Sequence, residues 1–62
     1  MQLVLDNQKK KLAFTGTAEQ LLKKLKIRRE EVVIKINGKL APETTEVGGS
    51  DSVEIIKVVF GG

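Results

Sequence analysis

The chain has 62 residues, contains neither cysteine nor histidine, and carries a formal net charge of +3. This length accommodates one small domain, and its stability has to come from a single apolar core, because no disulfide or Cys/His metal cluster can cross-link it. The commonest general base and the thiol nucleophile of enzymes are missing, so the composition favours a substrate or carrier over an enzyme.

The sequence also gives expectations for cellular location and metal binding. No apolar run approaches the roughly 20 residues of a membrane helix, and no basic-then-apolar leader precedes Leu3. We therefore expect a cytoplasmic protein with no membrane partner. The acidic residues lack the spacing of a calcium-binding loop, so no metal site is expected.

The positive charge is concentrated in one part of the chain. From Lys9 to Arg29 there are eight basic residues and one acid, Glu19, a local charge of +7, whereas the remainder has three basic residues and seven acids, a charge of −4. Such a stretch can steer an acidic partner or a nucleic acid. Because no aromatic residue adjoins these basic residues, we favour a solvated surface over nucleic-acid binding.

The first half of the chain predicts a β-hairpin followed by an amphipathic helix. Residues 2–5 and 10–14 alternate with a period of two, and Asp6-Asn7-Gln8 between them is typical of a turn. Thr17-Ala18-Glu19-Gln20 has the form of a capping box, which predicts a helix that begins at Thr17. Its apolar stripe has helical spacing and consists of Ala18, Leu21, Leu22 and Leu25.

The second half begins with a predicted strand and a tight turn. Residues 32–36 are a β-branched run with Lys35 on the opposite face, and Asn37-Gly38 predicts a turn before a short return strand at Lys39-Leu40. Residues 42–47 are polar, and we expect an irregular segment there, with room for one helical turn.

A further turn and a last strand follow. Gly48-Gly49-Ser50-Asp51 lacks the lysine and the following helix of a phosphate-binding loop, so we interpret it as a plain turn. The last strand is predicted from Ser52 to about Val59.

This order of elements predicts an α+β domain in which one helix covers one face of a mixed sheet of four to five strands. We expect residues 1–60 to form the domain and residues 61–62 to form a flexible tail. The predicted core contains eleven apolar residues: Leu3, Leu5, Leu12, Phe14, Leu21, Leu22, Leu25, Ile34, Ile36, Val53 and Ile55.

The terminal Gly61-Gly62 pair is the candidate functional site. Glycine has no Cβ, so two in succession can pass through a channel too narrow for other residues, and the Gly62 carboxylate is unhindered. A strand pinned in the core would deliver this carboxylate at a defined distance from a docking surface. For that surface we predict Ile56, Val58 and Phe60, which share the sheet face away from the helix, together with Lys35.

The ordered set of motifs resembles the ubiquitin-like sulfur carriers of the ThiS/MoaD family and the small archaeal ubiquitin-like modifier proteins. The similarity covers the whole chain, through the segments MQLVLDN, TAEQLLKKL, VVIKINGKLAPE, GGSDSVEIIKVV and FGG. No single segment is specific, but their order and spacing are. The resemblance implies a β-grasp fold.

The resemblance also implies a chemistry at the terminus. Gly62 would be adenylated by a ubiquitin-activating-type enzyme that uses ATP and magnesium, so the chain itself would bind no cofactor. The adenylate would become a thiocarboxylate that gives its sulfur to a synthase, for thiamine thiazole, molybdopterin or tRNA thiolation. By the same likeness Gly61 and Gly62 are the functional residues, and Ile56, Val58 and Phe60 contact the partner.

Two other functions remain open from the sequence. The chain could be a protein modifier that is conjugated to lysines of target proteins through Gly62, because modifiers and carriers share the adenylation step. It could instead be an RNA- or protein-binding β-grasp module that uses Lys9 to Lys11 and the stretch from Lys23 to Arg29.

Overall fold

The computed structural model describes residues 1–58, and the following elements are those of that range. In chain order they are β1 (Gln2–Leu5), β2 (Gln8–Lys11), β3 (Gly16–Thr17), α1 (Ala18–Leu25), a 3-10 helix (Arg29–Glu31), β4 (Val32–Ile36), β5 (Lys39–Leu40), β6 (Glu46–Val47) and β7 (Ser52–Lys57).

Five strands form a mixed sheet in the order β2-β1-β7-β4-β5. β1 and β7 run parallel, whereas the other neighbouring strands are antiparallel. β3 and β6 form a separate antiparallel pair. The α+β class and the mixed sheet with one helix are thus confirmed, and β7 occupies the centre of the sheet.

The helix begins where the capping box predicts. The Thr17 amide donates to Gln20 Oε1 (2.9 Å), and the Gln20 amide donates to Thr17 Oγ1 (3.2 Å). The two amides between them donate to carbonyls of the segment before β6, Ala18 to Thr45 and Glu19 to Glu43, each at 2.9 Å. All four N–H groups at this end of the helix therefore have acceptors, as helix termini require.

The core lies between the helix and one face of the sheet. All eleven predicted core residues contribute to it: six are buried and the other five are half-buried against them. The structure adds two buried residues that the prediction left out of the core, Ala18 and Val47. Ala18 begins the apolar stripe of the helix, whereas Val47 belongs to a strand that the sequence does not reveal.

The prediction of the second strand was wrong in its position. We expected residues 10–14, but β2 spans Gln8–Lys11. The cause is the turn, in which Asp6 and Asn7 both have positive φ, 53° and 63°. A two-residue turn of this kind returns the chain directly into the partner strand, so Gln8 already pairs with Leu5.

The prediction for residues 42–47 was also wrong in part. Glu46–Val47 is a strand, β6, and it follows a single turn in which the Thr45 amide donates to the Pro42 carbonyl (3.1 Å). The partner of β6 is β3, Gly16–Thr17, which the sequence analysis did not predict as a strand. The 3-10 helix Arg29–Glu31 was not predicted either. Elements of two or three residues show no periodicity, and β3 and β6 are defined by their pairing with each other across the chain.

Candidate functional site

β7 pairs with β1 from Ser52 to Ile55 and with β4 from Val53 to Lys57, so its last residues are held on the β4 side. The Val58 amide donates to the Glu31 carbonyl at 2.9 Å, which extends the β4–β7 register by one residue beyond the pair Val32 and Lys57. Val58 is thus the last anchored residue that the structure describes. Phe60, Gly61 and Gly62 lie outside the described residues, so their predicted roles and the boundary of the tail stay predictions.

Ion pairs involve the last residue of β7 and the 3-10 helix that precedes β4. Lys57 lies 3.6 Å from Asp6 in the β1–β2 turn, and Arg28 lies 3.8 Å from Glu31. Arg29 contacts Glu43 at 2.5 Å, and the Glu43 carboxylate, followed by Glu19, raises the pKa of Arg29. These exposed pairs contribute little stability individually, but they connect the 3-10 helix and the β1–β2 turn to neighbouring segments.

The outer face of the sheet, away from the helix, contains the predicted docking residues. Val53 and Ile55 point into the core, so Glu54 and Ile56 lie on the other face of β7. The register places Glu54 opposite Lys35 and Ile56 opposite Val33. Val58 continues this alternation. Of the predicted contacts, the structure therefore brings Lys35, Ile56 and Val58 onto one face.

Sequence analysis missed two apolar members of this face. Val33 is 36% exposed and lies opposite Ile56, while Leu40 is 67% exposed and lies opposite Lys35. The alternation along residues 32–36 was the signal for Val33, because it shares a face with Lys35. We call Val33, Lys35, Ile56 and Val58 the outer patch. It is a partly exposed apolar surface with one cation, in which Val33 is exposed and the other three residues are half-buried, and it lies next to the end of β7.

The other end of β7 is fixed by a side-chain network. Asp51 Oδ1 accepts from Asn37 Nδ2 (3.0 Å) and Oδ2 accepts from the Gly48 amide (2.8 Å), while the Ser52 amide donates to Asn37 Oδ1 (3.0 Å). The bonds from Asn37 and then from Gly48 lower the pKa of the Asp51 carboxyl. Residues 48–51 thus form the expected turn, and their one carboxylate holds the turn together.

The described residues contain neither a candidate metal site nor a helix that could span a membrane. Among residues 1–58 no group of three or more Asp, Glu, Cys or His side chains is placed to hold a metal ion. No helix in that range has the length and apolar character needed to cross a membrane.

The comparisons with known proteins agree with this geometry. The model of the ThiS family matches residues 2–62. The chain belongs to the ThiS family. ThiS proteins are small sulfur carriers and not catalysts, which confirms the prediction that this chain is not an enzyme.

A solved structure supports the same family. The thiamine biosynthesis protein (ThiS) from Geobacter metallireducens is 26% identical to this chain in sequence. The match covers 100% of both chains, and the two structures superimpose with a TM-score of 0.69. This match confirms the β-grasp fold. A comparison with curated proteins gave no significant match. ThiS proteins generally act with an activating enzyme and a sulfur-accepting synthase.

Proposed function

We propose that this protein is the sulfur carrier of thiamine thiazole synthesis and that its Gly62 carboxylate holds the sulfur. Membership of the ThiS family and the matched thiamine biosynthesis protein support this pathway over molybdopterin synthesis and tRNA thiolation. The observation that carries the proposal is the position of β7. This central strand pairs with β1 as far as Ile55 and with β4 as far as Lys57. The Val58 amide, four residues before the terminal glycine, still donates to the Glu31 carbonyl.

The chemistry needs little from the chain beyond the terminus itself. An oxygen of the Gly62 carboxylate attacks the α-phosphorus of ATP on the activating enzyme, and pyrophosphate leaves. Hydrosulfide supplied by a partner then attacks the acyl carbon and displaces AMP, which leaves a thiocarboxylate and releases one proton. ATP and magnesium belong to the activating enzyme. Because glycine has no side chain, neither Gly61 nor Gly62 hinders the approach to that carbon.

The outer patch is the proposed docking surface for the activating enzyme, with Phe60 as a further contact. Ile56 and Val33 form a cross-strand apolar pair, and Lys35 adds one positive charge beside Glu54. Interfaces with apolar centres and charged margins have this composition. Four residues span at most about 14 Å when extended. The active site of the enzyme should therefore lie within that distance of Val58.

AMP transfer from the activating enzyme tests the proposal. Deleting Gly61 and Gly62 should abolish transfer, because the truncated chain ends on a bulky residue. A circular dichroism spectrum and an unfolding midpoint equal to those of the full chain would show that the fold is retained. Normal AMP transfer to the truncated chain would contradict the carrier function.

The intact mass of protein isolated from its own cells separates the carrier from the modifier. A carrier gains the mass difference between sulfur and oxygen at its C-terminus. A modifier leaves Gly-Gly remnants on lysines of target proteins, and finding only these would contradict the sulfur-carrier proposal. The cytoplasmic location expected from the sequence stays a prediction.

A further inference from the structure

The basic stretch of the sequence places lysines on an open edge of the sheet. β2 is the last strand in the sheet order and pairs with β1 alone. All four of its residues are exposed. An edge strand presents backbone N–H and C=O groups that have no partner in the sheet, and another extended chain can pair with them.

The register identifies which backbone groups face outward. Met1 and Leu12 exchange both backbone hydrogen bonds, at 2.8 and 2.9 Å. Bonded and non-bonded pairs alternate along an antiparallel ladder. The next bonded pair is therefore Leu3 with Lys10, and the N–H and C=O groups of Lys9 and Lys11 point away from the sheet.

The lysine side chains cover both faces of this edge. Lys9 lies opposite Val4 on the outer face, and Lys11 follows on the same face. Lys10 lies on the helix side, because its neighbour Leu3 is buried in the core. The ion pairs found within residues 1–58 include none of these three lysines.

This pattern selects among the possible occupants of the edge. A second copy of β2 would bring lysines against lysines, and like charges on facing strands are destabilising. A nucleic acid would be attracted by the lysines, but its backbone cannot form the regular N–H to C=O hydrogen bonds of a β-ladder with this edge. An extended acidic polypeptide satisfies both features, because its backbone pairs with the edge and its carboxylates lie beside the lysines.

The surface next to the edge leaves room for such a segment. An open concavity of about 700 Å³ borders β2 and is lined in part by Met1, Leu12 and Ala13. Its one acidic lining residue is Asp51, whose two oxygens already accept hydrogen bonds from Asn37 and Gly48. The carboxylate most able to compete with an acidic ligand is thus engaged in a turn.

We propose that β2 binds an extended acidic segment of a partner protein by strand addition. The segment pairs with the outward backbone groups of Lys9 and Lys11, and its acidic side chains neutralise Lys9, Lys10 and Lys11. This interaction involves the edge of the sheet farthest from β5 and does not depend on chemistry at Gly62, so it can fail while the carrier function stands.

A titration of the ¹⁵N-labelled full chain tests the proposal, with a blocked peptide of alternating glutamate and valine at low ionic strength. We expect hydrogen exchange of the Lys9 and Lys11 amides to slow by about fivefold or more on binding, because each gains a hydrogen bond. The Lys10 amide, already bonded within the sheet, should change little. Equal effects on all three amides, or no binding at millimolar peptide, would overturn the proposal.

Two variants at one position separate charge from backbone pairing. Lys9→Gln and Lys9→Pro lose the same charge, but only proline removes the outward N–H, and an edge strand tolerates proline where its N–H faces solvent. We expect the proline variant to bind the peptide about two- to tenfold more weakly than the glutamine variant. Equal affinities, together with displacement of the peptide by a thymidine oligonucleotide, would mean that the edge binds polyanions generally and would overturn strand addition.

Discussion

Gly16 shows how one missing side chain shapes the start of the helix. Its φ is +154°, and a Cβ at this position would collide with Gln20 Oε1 and lie 3.2 Å from the Phe14 ring. Gln20 Oε1 accepts the hydrogen bond from the Thr17 amide in the capping box. We expect Gly16→Ala to lower the free energy of unfolding by about 1–3 kcal/mol, through the lost cap and the strained backbone, in urea unfolding.

Gly48→Ala is the matched control for this substitution. Nothing lies within 4 Å of a Cβ built on Gly48, so the same change should shift the free energy of unfolding by less than about 0.5 kcal/mol. If the two substitutions lowered the free energy of unfolding equally, the contact of the new Cβ with Gln20 would not be the cause of the loss at Gly16.

Asp51 gives the fold a dependence on pH. Bonds from Asn37 and Gly48 lower the pKa of its carboxyl below the ordinary value of 3.8. The stabilisation is therefore complete above the unfolded-state pKa and is lost as the pH falls through the lower folded-state pKa. We expect Asp51→Asn to reduce the acid-induced fall of the urea midpoint below about pH 4.

Asn37→Gly tests the cause of this pH dependence. Glycine keeps the positive φ of 53° at this position but removes the amide that donates to Asp51. The acid-induced fall should then be smaller than in the wild type and larger than in Asp51→Asn, because the bond from Gly48 remains. An unchanged pH profile in both variants would exclude Asp51 as its source.

At the scale of elements, β4 supplies half of the outer patch. Val33 is 36% exposed and lies opposite Ile56. We expect Val33→Asp to lower kcat/KM for AMP transfer by about tenfold or more, because it introduces a charge at an apolar contact. The measurement is AMP transfer at subsaturating carrier.

Ala13→Asp is the control for Val33→Asp. Ala13 is also exposed and apolar, but it follows β2 at the opposite edge of the sheet. AMP transfer to this variant should stay within about twofold of the wild type. If both variants lose activity equally, the effect is one of overall charge, and the outer patch is not the docking surface.

How far the elements could be predicted depends on their length. The helix follows from a period of 3.6 and the strands β1, β4 and β7 follow from a period of two, each over four or more residues. The core residues predicted on these elements all lie in the core. The pair β3 and β6 could not be found, because Gly16 pairs with Val47 across 31 positions and neither strand has a pattern of its own. The shift of β2 arose from the two-residue turn at Asp6-Asn7, which the sequence suggested but whose length it left open.

At the scale of the whole molecule, the strand order decides what the site looks like. The sequence indicated that Ile56 and Val58 share a face, but β7 lies between β1 and β4 only because Gln2 pairs in parallel with Ser52, 50 positions away. No local pattern specifies such a contact. Val33 and Leu40 could therefore be assigned to the apolar face only from the strand order. The site at Gly61-Gly62 rests on the terminal sequence and stays a prediction.

The whole-molecule geometry fixes where Val58 lies relative to the outer patch, and the importance of the four residues between Val58 and the carboxylate can be tested. We expect insertion of Ser-Gly directly after Val58, with the terminal Gly61-Gly62 pair preserved, to lower kcat for AMP transfer by about tenfold or more. The reason is that displacement of a reacting group by even an ångström or so is costly to catalysis. Binding to the activating enzyme should change by less than about threefold, because the outer patch is untouched.

Single-turnover AMP transfer and a separate binding measurement give the two quantities. Insertion of Ser-Gly after Gly49, in the turn before β7, is the control. That control changes loop length at the far end of the anchored strand and should leave the rate of transfer within about threefold. If the chain extended after Val58 reacted as fast as the wild type, the enzyme would be capturing a free-ranging tail, and the anchored end of β7 would have no part in positioning Gly62.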